Sequence, residues 1–206
     1  MKDPVVLLAN GQEPADSKII DFLKSAGTII CVDGGYEFAK KFNIKPNIVI
    51  GDFDSTDLNK IDDEIRVIRA EDQNKTDLEK AIEFCISENL DKIILIAATG
   101  VKDDHNLANI LLMNHFFPKI CIQIMTNHFL IEIFKGKKTF DLPIGSQISL
   151  ISLESNNLVT SKGLRFELNN ENLKSPSNGI SNVVVQEQIE ITSEKPLIIF
   201  KQYNVY

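Results

Sequence analysis

The stretch Ile48–Thr56, IVIGDFDST, is where the chain changes character most sharply. Three β-branched apolar residues lead into Gly51, and two aspartates, Asp52 and Asp54, follow one residue apart. A short continuous apolar run reads as a strand covered on both faces. In extended backbone, residues two apart point the same way, so Asp52 and Asp54 converge on one point. Carboxylates gathered at a strand end repel each other, and a hard divalent cation removes the repulsion. Mg²⁺ held by one or two carboxylates together with substrate phosphates is the expected form. Asp and Ser also favour turns, so a plain turn explains the pair alone equally well.

Similar runs recur over the first two-thirds of the chain: VVLLA, TIICV, IRVIR, KIILIAA and CIQIM. Between them, TDLEKAIEFCISEN sets Leu78, Ala81, Ile82, Cys85 and Ile86 at helical spacing. DHNLANILLMNHFF does the same with Leu107, Ile110, Leu111 and Phe117. Strand and helix in alternation predict an α/β fold, a mostly parallel sheet with helices on both faces. After about Ile133 the pattern shifts to SQISLISL, LVTSKGLRFEL, VVVQEQIEIT and PLIIFKQYNVY, separated by Gly, Pro, Asn and Ser. These read as antiparallel strands of a small all-β, sandwich-like domain. The expected division is 1–133 and 134–206. The segment NNENLKSPSNGISN reads as a mobile loop.

In an open α/β sheet, ligands bind outside the carboxyl ends of the strands. TIICV exits into Asp33-Gly34-Gly35, and NIVI into Gly51-Asp52-Phe53-Asp54. IRVIR leads toward Asp72-Gln73-Asn74-Lys75-Thr76-Asp77, and KIILIAA exits into Thr99-Gly100, then Lys102, Asp103, Asp104 and His105. Four successive exits carry carboxylates. Each feature also has a structural reading. Thr76 and Glu79 form a capping box that starts a helix. Asp104 has the look of an N-cap. Lys80, three residues beyond Asp77, is a ready ion-pair partner for it. Asp33-Gly34-Gly35 is either a turn or a place where a phosphate approaches backbone N–H groups. The three histidines show no metal-ligand spacing and read as structural or surface residues.

The 206 residues suit one large domain or two small ones, and 43% apolar residues are enough for a core. A net charge of −7 without a dense Lys/Arg block speaks against a nucleic-acid binder. Cys31, Cys85 and Cys121 each sit in an apolar run and read as buried thiols of a reducing cytosol. Neither a secretory leader nor a membrane-spanning run is apparent, so the expectation is a cytoplasmic protein without membrane contact.

Taken in order, Asp33-Gly34-Gly35, Pro46, Gly51-Asp52-Phe53-Asp54-Ser55, Asp72-Gln73 with Thr76-Asp77 and Lys80-Ala81, Thr99-Gly100, and Asp104-His105 with Leu107-Ala108-Asn109 resemble the thiamine pyrophosphokinase family. Gly145, Ser149-Leu150, Gly163-Leu164-Arg165-Phe166 and Ser181-Asn182 resemble its thiamine-binding β-domain. Lys102 stands where the family usually has arginine, and Tyr36-Glu37 where it often has Ala-Asn. The resemblance implies transfer of a diphosphoryl group from ATP to thiamine, giving thiamine diphosphate and AMP. It implies a catalytic domain for ATP and Mg²⁺ over 1–133 and a thiamine-binding domain over 134–206. It assigns Mg²⁺ to Asp52, Asp54 and Asp77, with Asp104 as a further catalytic carboxylate. It assigns the phosphates of ATP to Asp33, Gly34, Gly35, Gln73, Thr76, Lys80, Thr99, Gly100 and Lys102. Thiamine falls to Ser181 and Asn182, with Phe166 as the stacking aromatic in a chain without tryptophan. It also implies a homodimer with the site at the subunit interface. On the residues alone, a Mg²⁺-dependent kinase or hydrolase of another phosphorylated metabolite, or a non-catalytic thiamine or nucleotide sensor, are the alternatives.

Overall fold

A computed structural model describes residues 1–53, 61–70 and 72–203. The chain divides into two units, Met1–Asn127 and His128–Tyr206. The change of pattern in the sequence suggested a division near Ile133. The strand that opens the second unit begins with its most apolar half, Phe129–Phe134, which blurs the boundary.

Among its described residues the first unit holds six strands: β1 (Val5–Leu8), β2 (Thr28–Val32), β3 (Ile48–Gly51), β4 (Arg66–Arg69), β5 (Lys92–Ile96) and β6 (Cys121–Met125). All pair in parallel, in the order β4-β3-β2-β1-β5-β6. Four helices join them: α1 (Ser17–Ser25), α2 (Gly35–Lys41), α3 (Asp77–Ser87) and α4 (Asp103–Phe116). The chain moves one way across the sheet from β1 to β4 and returns the other way through β5 and β6. Right-handed crossovers therefore put α1 and α2 on one face and α3 and α4 on the other. The central strands β1, β2 and β3 are buried at every residue, as continuous apolar runs require. β6 alternates instead, with Ile122 and Ile124 buried.

α3 buries Leu78, Ala81, Ile82 and Cys85, the face its sequence predicts. α4 does not. Its buried residues are Asn109, Met113 and Phe116, while Leu107 and Leu111 are exposed. Apolar residues surround this helix, so their spacing leaves its rotation undetermined. A hydrogen bond from Asn109 Nδ2 to the Ala98 carbonyl, 2.7 Å, sets it.

The second unit is antiparallel throughout. It comprises β7 (Phe129–Asp141), β8 (Gln147–Ser152), β9 (Leu158–Lys162), β10 (Glu171–Asn172), β11 (Asn182–Val183) and β12 (Gln188–Gln202). β12 pairs with β7 along its length, but its first half also pairs with β9 and its second half with β8. Two expected strands are thus one, and it bends. The register breaks between Ser193 and Leu197, around Pro196, which cannot donate to a ladder. Asn157 fixes the break: its Oδ1 accepts from Ser193 Oγ at 3.0 Å and from Lys195 N at 2.9 Å. Both halves turn inward-facing residues, among them Ile148, Leu150, Val159, Ile191 and Ile199, onto one core. That is the sandwich-like arrangement expected. The segment read as a mobile loop is anchored. It contributes buried Leu173, β10, and a 3-10 turn at Pro176–Gly179 capped by Ser175 and Asn178.

Cys31 and Cys85 are buried, and desolvation pushes both thiols up to about 12. Cys121, expected to be buried, is exposed because it opens the alternating strand β6. At pH 8 a thiol reagent is therefore expected to titrate one cysteine per native chain and three in denaturant. Alkali has a predictable sign as well. Above about pH 9 unfolded thiols ionise while the two native ones stay protonated, so stability falls as pH climbs toward 12. Denaturant midpoints at pH 8 and pH 10 would check this.

Candidate active site

β1 lies between β2 and β5, which the chain reaches in opposite directions, so their carboxyl ends form a topological switch point. A cavity of about 190 Å³ opens there, lined by residues leaving β1, β2 and β5 and by the first turns of α3 and α4.

Each wall has a local cause. At the end of β2, Asp33 takes φ 46° and donates its N–H to the Ile50 carbonyl at 2.8 Å. Gly34 follows against the Asn10 side chain, and a Cβ on Gly35 would overlap the Leu8 carbonyl. The glycine pair is thus required for α2 to pack on β1. At the end of β3, Asp52 is half-buried and Phe53 takes φ 62°. Thr76 caps α3, its Oγ1 accepting from Glu79 N at 3.3 Å, and Asp77 is the first helical residue. Lys80 Nζ lies 3.0 Å from Asp77 Oδ1 and 2.9 Å from the Ala70 carbonyl.

The segment leaving β5 is tied to the segment leaving β1. Gly11 N donates to the Ala97 carbonyl and Gln12 N to the Thr99 carbonyl, at 2.6 and 2.7 Å. Ala97 takes φ 55° and Gly100 φ 104°. Asn106 Oδ1 accepts from Gly100 N at 2.6 Å, fixing the turn ahead of α4.

The arrangement brings Asp33, Asp52 and Asp77 together, with one carboxylate oxygen of each within 4.8 Å of the others, all half-buried. Thr76, Thr99 and Lys102 line the cavity with Asp33 and Asp77. Asp54 lies outside the described residues. Asp104 is exposed and stands inside α4 rather than at its cap, where Lys102 sits; its Oδ1 accepts from His105 N at 2.9 Å. Gln73 is exposed in a turn held by Asp72, whose carboxyl the backbone N–H of Asn74 keeps below its usual range.

In the second unit, Ser181 takes φ 58° and donates its N–H to Ser149 Oγ at 3.0 Å. Asn182 is buried, and its amide is engaged with backbone: Oδ1 accepts from Phe166 N and Val183 N, and Nδ2 donates to the Phe166 carbonyl. The Phe166 side chain is left 68% exposed.

Residues 19–125 match the family described as Thiamin pyrophosphokinase, catalytic domain, and residues 135–198 the one described as Thiamin pyrophosphokinase, vitamin B1 binding domain. The chain belongs to the thiamin pyrophosphokinase family. A curated relative, Thiamin pyrophosphokinase 1 of Caenorhabditis elegans, is 22% identical over 172 residues, spanning 77% of this chain and 71% of its own. The fold is also that of solved structures. Thiamine pyrophosphokinase from Bacillus subtilis superposes with TM-score 0.85 at 23% identity, covering 98% of this chain and 99% of its own. Thiamin pyrophosphokinase from Candida albicans gives TM-score 0.81 at 18% identity, covering 97% and 88%.

Within the family frame, several wall residues had escaped the sequence reading. Asn10 and Gly11 directly follow VVLLA, a strand exit without a carboxylate to draw the eye. Asn106 lies in a helix whose polar residues look like a solvated face, whereas Asn109, part of the Leu107-Ala108-Asn109 motif, lines the cavity. His105, read as structural or surface, is exposed and lines the cavity beside Lys102.

Because its Cβ would strike the Leu8 carbonyl, Gly35→Ala is expected to destabilise the protein by about 2–3 kcal/mol. A urea unfolding midpoint measures it, and an unchanged midpoint would mean that α2 does not pack this closely.

Proposed function

We infer that the protein is a thiamine diphosphokinase, transferring the diphosphoryl group of ATP to the hydroxyethyl oxygen of thiamine. The observation that carries this is the carboxylate trio at the switch-point cavity of a chain that matches both family domains. The hydroxyl oxygen attacks the β-phosphorus, the bond from that phosphorus to the α-phosphate oxygen breaks, and AMP leaves. The hydroxyl proton is lost in the same step.

The trio suits Mg²⁺. Its donors are all carboxylate oxygens, the hard ligands this ion prefers. Octahedral Mg²⁺ at about 2.1 Å places neighbouring ligands about 3 Å apart and opposite ones about 4.2 Å apart. Oxygens already within 4.8 Å reach that spacing by small movements. Held by Asp33, Asp52 and Asp77, the ion would supply positive charge to the phosphates of ATP and offset charge on the leaving AMP. Asp33 joins Asp52 and Asp77 as a ligand, in place of the phosphate-turn role its sequence suggested. Lys102 supplies positive charge to the same cavity, though an ammonium cannot form the planar two-pronged contact of arginine. Ser181 and Phe166 are the thiamine contacts. Asn182 supports them through the Phe166 backbone.

A cavity of about 190 Å³ falls short of the roughly 300–1,000 Å³ usual for small-molecule sites. Val101, exposed at 65%, lines it, and Leu107 in the first turns of α4 is exposed at 61%. We therefore place a second subunit against this surface, giving a homodimer whose sites lie at the interface. A cytoplasmic location fits the free thiols. Among the described residues, no helix is long and apolar enough to cross a membrane.

Incubation with ATP, Mg²⁺ and thiamine is expected to yield AMP and thiamine diphosphate in equal amounts, both lost with a chelator. ADP and thiamine monophosphate would overturn the assignment of the attacked phosphorus. Asp33→Asn separates chemistry from folding. Asn tolerates a left-handed φ, and the change removes one of three like charges. Turnover should fall at least a hundredfold while the melting temperature holds or rises. Phe166→Ala should raise KM for thiamine more than KM for ATP.

A further inference from the structure

We propose that Lys80 is a positioning residue that fixes the spacing of Asp52 and Asp77, rather than a contact for ATP. This rests on the trio being the cation site of the reaction proposed above. The motif around Thr76-Asp77 offered Lys80 as a phosphate ligand, but two of its three ammonium donors already have acceptors within the protein. It is three residues beyond Asp77 on α3, its side chain is 10% exposed, and it donates to Asp77 Oδ1 at 3.0 Å. Its second acceptor is the Ala70 carbonyl at 2.9 Å. Ala70 in turn donates its N–H to the Gly51 carbonyl at 3.1 Å, one residue before Asp52.

A continuous path therefore runs from the residue before Asp52, through the Ala70 peptide and the ammonium, to the Asp77 carboxylate. Two of the three carboxylates stand on different elements, the end of β3 and the start of α3, and among the described residues no backbone hydrogen bond joins those elements directly. Lys80 closes the gap. It also leaves a group of three carboxylates and one ammonium with a net charge of −2, which one divalent cation balances. Partners of metal ligands, acting one step removed, are typically worth 10- to 100-fold in metal affinity or activity.

The sign of one measurement tests the role. Removing a positive charge beside a cation site should, by Coulomb attraction alone, tighten cation binding. Removing the group that holds Asp77 should loosen it. Free Mn²⁺ is measured by electron paramagnetic resonance as it is titrated into the full chain without ATP, for wild type, Asp33→Asn and Lys80→Met. Lys80→Met is expected to weaken Mn²⁺ binding tenfold or more and to lower kcat, with KM for ATP changed less than threefold. Lys80→Arg, which keeps the charge and the donors, should restore part of the binding. If Lys80→Met fails to fold, Lys80→Gln takes its place, with loosening again expected. Unchanged or tighter Mn²⁺ binding together with a raised KM for ATP would overturn the proposal and return Lys80 to the phosphates. Wild type that binds no Mn²⁺ without ATP would also overturn it, leaving the reaction to be judged by its products. Wild type that binds Mn²⁺ but makes no thiamine diphosphate would overturn the reaction and leave the Lys80 result standing.

Discussion

The first unit is arranged around the repulsion of three carboxylates. Like charges about 4.8 Å apart, at an effective dielectric constant of about 20, oppose each other by about 3 kcal/mol per pair before salt screening. Nothing in the hydrophobic effect brings such groups together. They meet because three backbone segments end where the sheet puts them: β2 at Asp33, β3 beside Asp52, and α3 beginning at Asp77. The apolar runs behind them, TIICV and NIVI, are buried along their length and hold the strand ends in place against the repulsion.

The same edge stores backbone strain. Asp33, Phe53 and Ala97 all take left-handed φ values at strand exits, at a cost of roughly 1–2 kcal/mol each for residues other than glycine. Hydrogen bonds offset part of that. Asp33 N–H reaches β3, the Ala97 carbonyl receives Gly11 N–H, and Asn109 holds the neighbouring Ala98 carbonyl. The glycines take the complementary task of letting elements approach: Gly35 meets the Leu8 carbonyl and Gly11 the Ala97 and Thr99 carbonyls at distances no side chain would permit. Strain and close approach both concentrate where the chain reverses direction across the sheet, and the cavity lies between them.

How much of this was legible in sequence depended on whether the signal was local. Strands β1, β2, β3 and β5 of the first unit were readable because a buried parallel strand needs an unbroken apolar run. α3 was readable because its apolar residues occupy one face. α4 was not, since Leu107 and Leu111 offered a face that looked as good as the true one, where Met113 and Phe116 are buried and Asn109 bonds the Ala98 carbonyl. β12 was divided in two because Pro196 and the charged residues near it look like a turn, whereas Asn157, almost forty positions away, holds the backbone through the break. In the site, every carboxylate could be named, but Asp33 was given to a phosphate turn. Its place beside Asp52 and Asp77 depends on the pairing of β2 with β3 and on a φ of 46°, neither of which residue types reveal.

Lys80 and Asn182 carry the same lesson to the level of single atoms. Both belong to motifs that suggest contact with a ligand, and both spend their polar atoms on the protein itself. A lysine with its ammonium on Asp77 and a carbonyl has little to offer a phosphate without giving up those bonds. An asparagine whose oxygen accepts two backbone N–H groups and whose nitrogen holds a carbonyl is in the same position. What each can do is fix a neighbour. Lys80 holds a carboxylate, and Asn182 holds the backbone that presents Phe166, while the adjacent Ser181 hydroxyl accepts from Gln147 Nε2 at 3.3 Å. A motif residue is thus read by the partners its polar atoms already have, two of three ammonium donors for Lys80 and three of four amide positions for Asn182.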